Sequence, residues 1–318
     1  MKSTRQQILS QLKKHNMISG EEIAEELNIS RTAVWKHIQQ LKNKGYQIQS
    51  IKNKGYQLSS VPNLPIEEEV SRGLVTHLIG KNIHYFSSLS STNSYAKTLI
   101  NNKKAEGTVI IAGEQTTGRG RKNRAWDSKQ GGLWFSIILH PRLPPQRAMI
   151  VTMAASIAVT KAINAISTEK AVIKWPNDVL INGKKICGVL TEIDAEMDRI
   201  HYLIIGIGIN VNNPIDPSLH STATNLKTLT HSTINLAQLL NQILEHFDEL
   251  YQYINKADYD HLRKQWLSHT NIIGKHVQIQ KEKTTLKGTA ISISETGSLI
   301  IKTKQGEQQI VTGDIEYL

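Results

Sequence analysis

Two arginines one residue apart mark the stretch of sequence best suited to chemistry. Gly118-Arg119-Gly120-Arg121 follows a strand-like run, and Arg124 and Trp126 come soon after. Each guanidinium carries paired N–H donors that match a carboxylate or a phosphate, and glycine lets the backbone approach a ligand closely. We expect an anion-binding loop that is mobile when empty and ordered around its ligand. Taken alone, the run is also typical of a solvated loop or of an arginine–glycine tract that binds nucleic acid.

A second polar cluster stands at the predicted end of a strand, in Lys174-Trp175-Pro176-Asn177-Asp178. The proline stops the strand. The carboxylate of Asp178 suits a metal ion or a ribose hydroxyl, and Lys174 suits a phosphate. Asn and Asp also form turns, so a simple strand-to-turn transition stays open.

Two further motifs lie on predicted strands, Lys185-Ile186-Cys187-Gly188 and Gly206-Ile207-Gly208-Ile209-Asn210. By strand alternation, Lys185 and Cys187 face one side and Ile186 the other. A lysine that points into an enclosed face needs an anionic partner, whereas one at a strand edge does not. The glycines either offer backbone groups to a flat ligand or permit tight packing.

Hydrophobic periodicity predicts the elements that must position these groups. The strand-like runs are Thr108–Glu114, Leu133–Leu139, Ala171–Trp175, Val179–Ile181, Ile186–Ile193 and Tyr202–Val211. The helical patterns are Asn93–Asn101, Gln146–Ile166, Leu236–Ile254 and Tyr259–Leu267. Asn182-Gly183 between two of the strands predicts a hairpin. Together these patterns indicate an α+β fold with an antiparallel or mixed sheet, not a doubly wound parallel one.

The first sixty residues predict a winged helix-turn-helix. Ser3-x-x-Gln6 and Ser19-x-x-Glu22 are capping boxes that each open a helix. Ser30 is the expected N-cap of a third helix, and Gly45 follows its end. Two short strand-like runs joined by Lys52-Asn53-Lys54 then form a basic wing.

Positive charge is concentrated in this segment. Ten Lys and Arg residues against four acidic ones carry more than half of the net charge of +11, which favours a polyanionic partner. We expect the third helix in the major groove of double-stranded DNA and the wing on the backbone. The candidate DNA contacts are Ser30, Arg31, Thr32, Trp35, Lys36, Gln39, Gln40, Lys52 and Lys54. Trp35 suits packing under the wing equally well, and a protein-interaction module is the alternative to DNA binding.

Composition narrows the class of protein. A chain of 318 residues is long for one domain and sufficient for two or three, and its mean hydropathy of −0.32 is typical of a globular protein. The longest apolar stretch, Ala148–Ile166, carries Thr152, Ser156 and Lys161, which favours a core helix over a membrane span. The single Cys187 excludes an internal disulfide or a multi-cysteine zinc site and fits a reducing cytoplasm. Scattered histidines and no H-E-x-x-H motif predict no structural metal.

Together the motifs resemble those of the biotin–protein ligases in order and spacing. The matching segments are Ser91-Thr92-Asn93, Gly118–Arg121 with Trp126, Lys174–Asp178, Lys185–Gly188 and Gly206–Asn210. The resemblance spans essentially the whole chain, and the winged helix resembles that of the bifunctional bacterial type, which doubles as biotin operon repressor. One departure is Asn123, where some relatives have glycine, and it bears on how the loop folds.

The resemblance implies three domains: a winged helix in 1–60, a catalytic domain in 66–270 and an SH3-like β-barrel in 271–318. The catalytic domain would be a mixed sheet flanked by helices, like that of class II aminoacyl-tRNA synthetases. The strand-like runs of the third domain are Val277–Gln280, Gly288–Ile293, Ser298–Lys302 and Gln308–Val311. The implied reaction joins biotin to ATP, with Mg²⁺, as biotinyl-5′-AMP. Biotin then passes to a lysine of the biotin-accepting domain of a carboxylase.

The resemblance also assigns roles to residues. The biotin-binding set would be Ser91, Thr92, Asn93, Gln115, Arg119, Gly120, Arg121 and Lys185. The adenylate set would be Arg124, Trp126, Asn177, Asp178 and Asn210. Lys185, Arg121 and Arg119 would be the catalytic residues, because fixed positive charge lowers the repulsion between a carboxylate and a phosphate.

The resemblance further implies a homodimer promoted by biotinyl-AMP, which would bind an operator. We expect ordering of the Arg119–Trp126 and Val211–Ala223 segments to couple ligand to dimer. We expect Leu133–Leu139 at an edge of the central sheet, where it would contact both the second subunit of the homodimer and the acceptor domain. Three alternatives stay open: a lipoate or other acyl ligase, a non-enzymatic transcription factor that senses a ligand, and a ligase with a vestigial winged helix.

Overall fold

The computed structural model describes residues 3–100, 105–281 and 284–318, with only the backbone of residues 281 and 284. Two compact units result, Met1–Leu64 and Pro65–Leu318. Among the helices described, none has the length and apolar character to span a bilayer.

The N-terminal unit is the predicted winged helix-turn-helix. Its elements in order are α1 (Thr4–Lys14), α2 (Gly20–Glu26), α3 (Arg31–Asn43), β1 (Gln47–Ile51) and β2 (Gly55–Ser60). Both predicted capping boxes form, and the Ser30 side chain caps α3 by accepting from the backbone N–H of Ala33. Apolar side chains at helical spacing on α3, namely Val34, Ile38 and Leu41, are fully buried. The core of this unit therefore forms on the faces that the sequence indicates.

A seven-stranded mixed sheet forms the centre of the second unit. Its strands are β3 (Ile83–Leu89), β4 (Val109–Gln115), β5 (Leu133–Leu139), β6 (Ala171–Lys174), β7 (Asp178–Ile181), β8 (Lys184–Ala195) and β9 (Ile200–Ile209). Their order is β3-β4-β5-β9-β8-β7-β6, with β3 and β4 parallel and the other pairs antiparallel. The predicted mixed sheet and the hairpin at Asn182-Gly183 are confirmed.

The expected edge position of Leu133–Leu139 is wrong, because β5 pairs with β4 on one side and with β9 on the other. All seven of its residues are buried. An unbroken buried run of this kind is typical of a strand covered on both faces in the middle of a sheet. Neither a partner subunit nor an acceptor domain can pair with its backbone.

Helices cover the sheet and complete the core. They are α4 (Glu67–Gly73), α5 (Thr92–Leu99), α6 (Ala148–Asn164), α7 (Leu226–Thr230), α8 (Leu236–Asn255) and α9 (Tyr259–Ser268). Helix α6 is buried almost all round and packs against α8 and α9, which confirms it as a core helix. The predicted last residue of α5, Asn101, lies outside the described residues.

The C-terminal segment forms a five-stranded antiparallel sheet. Its strands are β10 (His276–Lys281), β11 (Thr284–Ile293), β12 (Leu299–Thr303), β13 (Gly306–Ile310) and β14 (Asp314–Tyr317), in the order β13-β12-β11-β10-β14. Four match the predicted runs. The sequence pattern did not predict β14, whose four residues are too few for a clear alternation.

Candidate active site

One cavity of about 460 Å³ opens over β8 and β9 in the second unit. Its lining includes every residue that the resemblance assigned to biotin or the adenylate. These are Ser91, Thr92, Asn93, Gln115, Arg119, Gly120, Arg121, Arg124, Trp126, Asn177, Asp178, Lys185 and Asn210. Segments almost 120 residues apart in sequence thus meet around one space.

A chain of polar side chains, four of them buried and Gln115 half-buried, forms the floor of this cavity. Ser136 Oγ donates to Asn93 Oδ1 at 2.6 Å and lies 2.7 Å from Thr92 Oγ1. Gln115 Oε1 accepts from the Thr92 backbone N–H at 2.8 Å, and Gln115 Nε2 donates to Ser128 Oγ at 2.9 Å. These five residues are called the polar floor below. These bonds hold the five side chains in position, because losing one would leave a polar group unpaired.

Glu192 on β8 joins this floor and was missed by the sequence analysis. Its carboxylate accepts from Asn93 Nδ2 and from Lys97 Nζ, both at 2.7 Å. Burial acts to raise the pKa of Glu192, but the bonds from Lys97 and Asn93 outweigh it, and the pKa lies below its usual value. No local pattern points to this residue, since a single Glu on a strand is ordinary.

The arginine loop contacts both the catalytic sheet and the C-terminal sheet. Arg121 donates to Asn177 Oδ1 and to Thr312 Oγ1, each at 2.9 Å. Arg124 Nη2 lies 2.5 Å and Lys122 Nζ 3.2 Å from Asp314 Oδ2. Arg121 therefore has neutral partners and keeps its charge for a ligand, whereas Arg124 and Lys122 share one carboxylate.

Asp314 is another cavity residue that the sequence analysis missed. Burial acts to raise its pKa, but the hydrogen bonds from Arg124 and Lys122 outweigh it and lower the pKa overall. A carboxylate of the C-terminal sheet thus binds two cationic side chains of the arginine loop.

The departure at Asn123 does not unfold the loop. Lys122 and Asn123 take left-handed backbone conformations, with φ of 56° and 57°. Glycine adopts this region freely, and asparagine is among the few other residues that tolerate it. Asn123 therefore supports a turn like the one glycine would form.

Lys185 points into the cavity, but the predicted alternation around it is wrong. Leu180 pairs with Lys185 and Val179 with Cys187, so that Ile186 is an extra residue in a bulge. A bulge places consecutive residues out of the regular alternation. Ile186 and Cys187 both lie in the apolar core, while Lys185 lines the cavity.

The ammonium group of Lys185 has two neighbours. Its Nζ lies 2.7 Å from Asp178 Oδ1 and 5.1 Å from the centre of the Trp126 ring. The Trp126 ring also packs on Gly208, where a Cβ would lie 2.5 Å from its Nε1. Gly206 likewise leaves room for Asn93, since a Cβ there would overlap the amide oxygen. The glycines of β9 thus permit tight packing of cavity side chains.

Lys174 does not line the cavity, which contradicts the interpretation that it could meet a phosphate there. It lies on β6, the outermost strand, and its Nζ is 5.7 Å from the Tyr317 ring. The neighbouring Trp175 is buried and donates to Gly297 O at 3.0 Å.

The predicted DNA contacts form an exposed face on the N-terminal unit. Trp35 is 53% exposed, so it faces solvent and does not pack under the wing. Gln40 Oε1 accepts from Arg5 on α1 at 3.4 Å, and Arg31 Nη1 lies 4.0 Å from Glu21 Oε2. Gln39 is half-buried, and the other eight candidates are exposed and are called the DNA face below: Ser30, Arg31, Thr32, Trp35, Lys36, Gln40, Lys52 and Lys54.

Comparison with known proteins assigns this architecture. The chain is 39% identical over 306 residues to the bifunctional ligase/repressor BirA of Bacillus subtilis, covering 95% of this chain and 94% of that protein. The chain belongs to the bifunctional biotin protein ligase/repressor family. The chain is also 27% identical over 291 residues to the BirA of Escherichia coli. That match covers 89% of this chain and 88% of that protein.

Three family models match successive parts of the chain. An HTH domain matches residues 4–57, the biotin/lipoate A/B protein ligase family matches 85–210, and the biotin protein ligase C-terminal domain matches 272–317. A biotin protein ligase of Aquifex aeolicus, solved in complex with biotin and ATP, shares the fold. It has a TM-score of 0.65 and 29% identity, and the match covers 75% of this chain and 99% of that one. The resemblance and the fold class are thus confirmed.

Proposed function

We propose that this chain activates biotin with ATP in the cavity and transfers it from biotinyl-5′-AMP to a lysine of a carboxylase acceptor domain. One observation carries the proposal: Arg121 and Lys185, far apart in sequence, line the same cavity. Biotin and ATP both bring negative charge to the reaction, and their repulsion is a large part of the barrier. Fixed cations that face the reacting atoms lower it.

The polar floor binds the ring end of biotin in this proposal. Thr92, Asn93 and Gln115 carry donors and acceptors suited to a cyclic urea, and hydrogen bonds to Ser136 and Ser128 hold these side chains in place. Binding to a preformed polar site costs little conformational entropy, because the side chains of the site are already ordered.

The carboxylate end of biotin meets ATP near Lys185. Lys185 pairs with Asp178, so an incoming phosphate must take the place of that carboxylate. Arg121 needs no such exchange, because its partners Asn177 and Thr312 are neutral. Arg119 donates to Ser94 Oγ at 3.0 Å and lies beside the polar floor. We assign Lys185 and Arg121 to the reacting carboxylate and α-phosphate, and Arg119 to the biotin side.

The adenylate lies beside Trp126, Asn177 and Asn210 in this proposal, with Arg124 on the loop above it. Asp178 Oδ1 is buried and faces Lys185 Nζ at 2.7 Å, outside regular hydrogen-bond geometry. Magnesium prefers oxygen ligands, so Asp178 fits the Mg²⁺ that accompanies ATP. Bound there, the ion would neutralise phosphate charge.

The second activity is repression through the DNA face. We propose a homodimer, promoted by biotinyl-AMP, that places two N-terminal units on an operator. Segment 211–223 contacts the reacting site, since Thr222 O accepts from the Lys185 backbone N–H at 2.7 Å. Ordering of this segment by ligand would favour the dimer. Sedimentation with and without biotinyl-AMP tests this, and equal dimer fractions would refute it.

Biotin-dependent exchange of pyrophosphate into ATP tests the ligase proposal. We expect exchange with biotin and far less with lipoate at equal concentration. Preference for lipoate would support the rival acyl ligase. Transfer of biotin to a lysine of an acceptor domain would exclude a protein that only senses its ligand. Salt-dependent binding to a palindromic operator would exclude a vestigial winged helix.

A further inference from the structure

We propose that Glu192 is a positioning residue that fixes the amide orientation of Asn93 and thereby makes the polar floor selective for a cyclic urea over a ring without N–H donors. The inference rests on the proposed function, since it assumes that Asn93 meets the ring of biotin.

The argument begins with what a carboxylate can do. An ionised carboxylate accepts hydrogen bonds and donates none. Glu192 Oε2 lies 2.7 Å from the Asn93 amide, so the amide must turn its NH₂ group towards it. Lys97 Nζ occupies the other oxygen at 2.7 Å and helps keep the group ionised. The amide orientation therefore follows from the charge of Glu192.

Because Glu192 holds the amide nitrogen of Asn93, the amide oxygen faces Ser136. Asn93 Oδ1 accepts from Ser136 at 2.6 Å, and Ser136 has only one hydrogen to give. The oxygen keeps a second lone pair, and Gly206 beside it has no side chain to cover it. Asn93 is only 4% exposed, so water cannot easily reorient it.

The free lone pair matches one part of biotin. A cyclic urea has two N–H donors, and one of them can bond Asn93 Oδ1. If the Asn93 amide were reversed, its NH₂ group would face the N–H of the urea. Two donors would then meet without an acceptor. A dithiolane ring, as in lipoate, has no N–H and would leave the second lone pair of the Asn93 oxygen without a donor. Sites built for a hydrogen bond reject analogues that lack it.

Exchange kinetics of Glu192→Gln at saturating ATP test the role. The new amide can donate or accept, so it no longer dictates the orientation of Asn93. We expect the KM for biotin to rise about tenfold, while kcat and the KM for ATP stay within about twofold. The preference for biotin over lipoate in kcat/KM should fall by a similar factor.

Lys97→Met is the matched control. It removes the same ion pair between α5 and β8 but leaves the Asn93–Glu192 hydrogen bond in place. If Glu192 only anchored α5, both variants would raise the KM for biotin equally, and that result would overturn the inference. A biotin KM for Glu192→Gln equal to that of the wild type would overturn it too.

The same assay separates this inference from the proposed function. Wild-type protein without biotin-dependent exchange would defeat the ligase proposal itself. Normal wild-type exchange together with an unchanged Glu192→Gln variant would defeat only the role of Glu192. Thermal unfolding of both variants checks that the chain stays folded at the assay temperature.

Discussion

The polar floor of the cavity and the DNA face use polar side chains in opposite ways. On the floor, Asn93, Thr92 and Ser136 are at least 95% buried and are bonded to one another. On the DNA face, Trp35 is 53% exposed and the charged side chains extend into solvent. A small ligand needs groups that are already in place, whereas a charged duplex can order exposed side chains as it binds.

This contrast has an energetic consequence. Changing a floor residue leaves a buried partner unsatisfied and should cost both ligand binding and folding stability. Changing a residue of the DNA face should cost binding alone, because surface substitutions usually leave the free energy of unfolding nearly unchanged.

The largest effect is expected at Lys185. Lys185→Ala should reduce the rate of adenylate formation by about two orders of magnitude or more, the scale of losing one preorganised electrostatic group. Pyrophosphate release in a single turnover measures it, with the exposed neighbour Lys184→Ala as control. Near-normal turnover by Lys185→Ala would refute the assigned role.

Ser136→Ala, a change in the polar floor, should affect both folding stability and biotin binding. Asn93 loses its donor, so the free energy of unfolding should fall by about 1–3 kcal/mol, and the KM for biotin should rise. Urea unfolding measures the first effect, with the exposed strand residue Ser87→Ala as control. Equal stability of the two variants would show that the floor is not preorganised by this bond.

Trp35→Ala, a change in the DNA face, should weaken DNA binding and leave folding stability unchanged. An exposed aromatic side chain on the recognition helix can contact bases in the major groove, and its loss should weaken binding about tenfold. Fluorescence anisotropy with operator DNA selected by the wild-type protein measures this at fixed salt. Met197→Ala, which removes a 94% exposed apolar side chain from the second unit, is the control. Loss of stability without loss of binding would contradict the comparison.

The smallest effect is expected on the wing. Lys54→Ala should weaken operator binding by only a few fold and should reduce the slope of log K against log[salt] by about 1. Adenylate formation should not change. An unchanged salt slope would mean that Lys54 does not contact a phosphate.

Local patterns were sufficient for much of the fold. The capping boxes at Ser3 and Ser19 and the hairpin at Asn182-Gly183 form as predicted, because each depends on residues close in sequence. The motifs quoted for the resemblance also supplied residues that now line one cavity, with Lys174 as an exception.

The failures share a different cause. The edge position of Leu133–Leu139 and the facing of Cys187 depend on which strands pair and in what register. Glu192 and Asp314 reach the cavity from a strand and a domain whose placement no local pattern reveals. Strand order and register are tertiary properties, so periodicity alone could not predict them.

The central claim is that Arg121 and Lys185 bring the carboxylate of biotin to the α-phosphate of ATP. Incubation of the full chain with ATP, Mg²⁺ and labelled biotin tests it most directly. The account predicts labelled biotinyl-5′-AMP in an amount that approaches one per chain when no acceptor is present. Labelled biotin recovered unchanged beside intact ATP would contradict it.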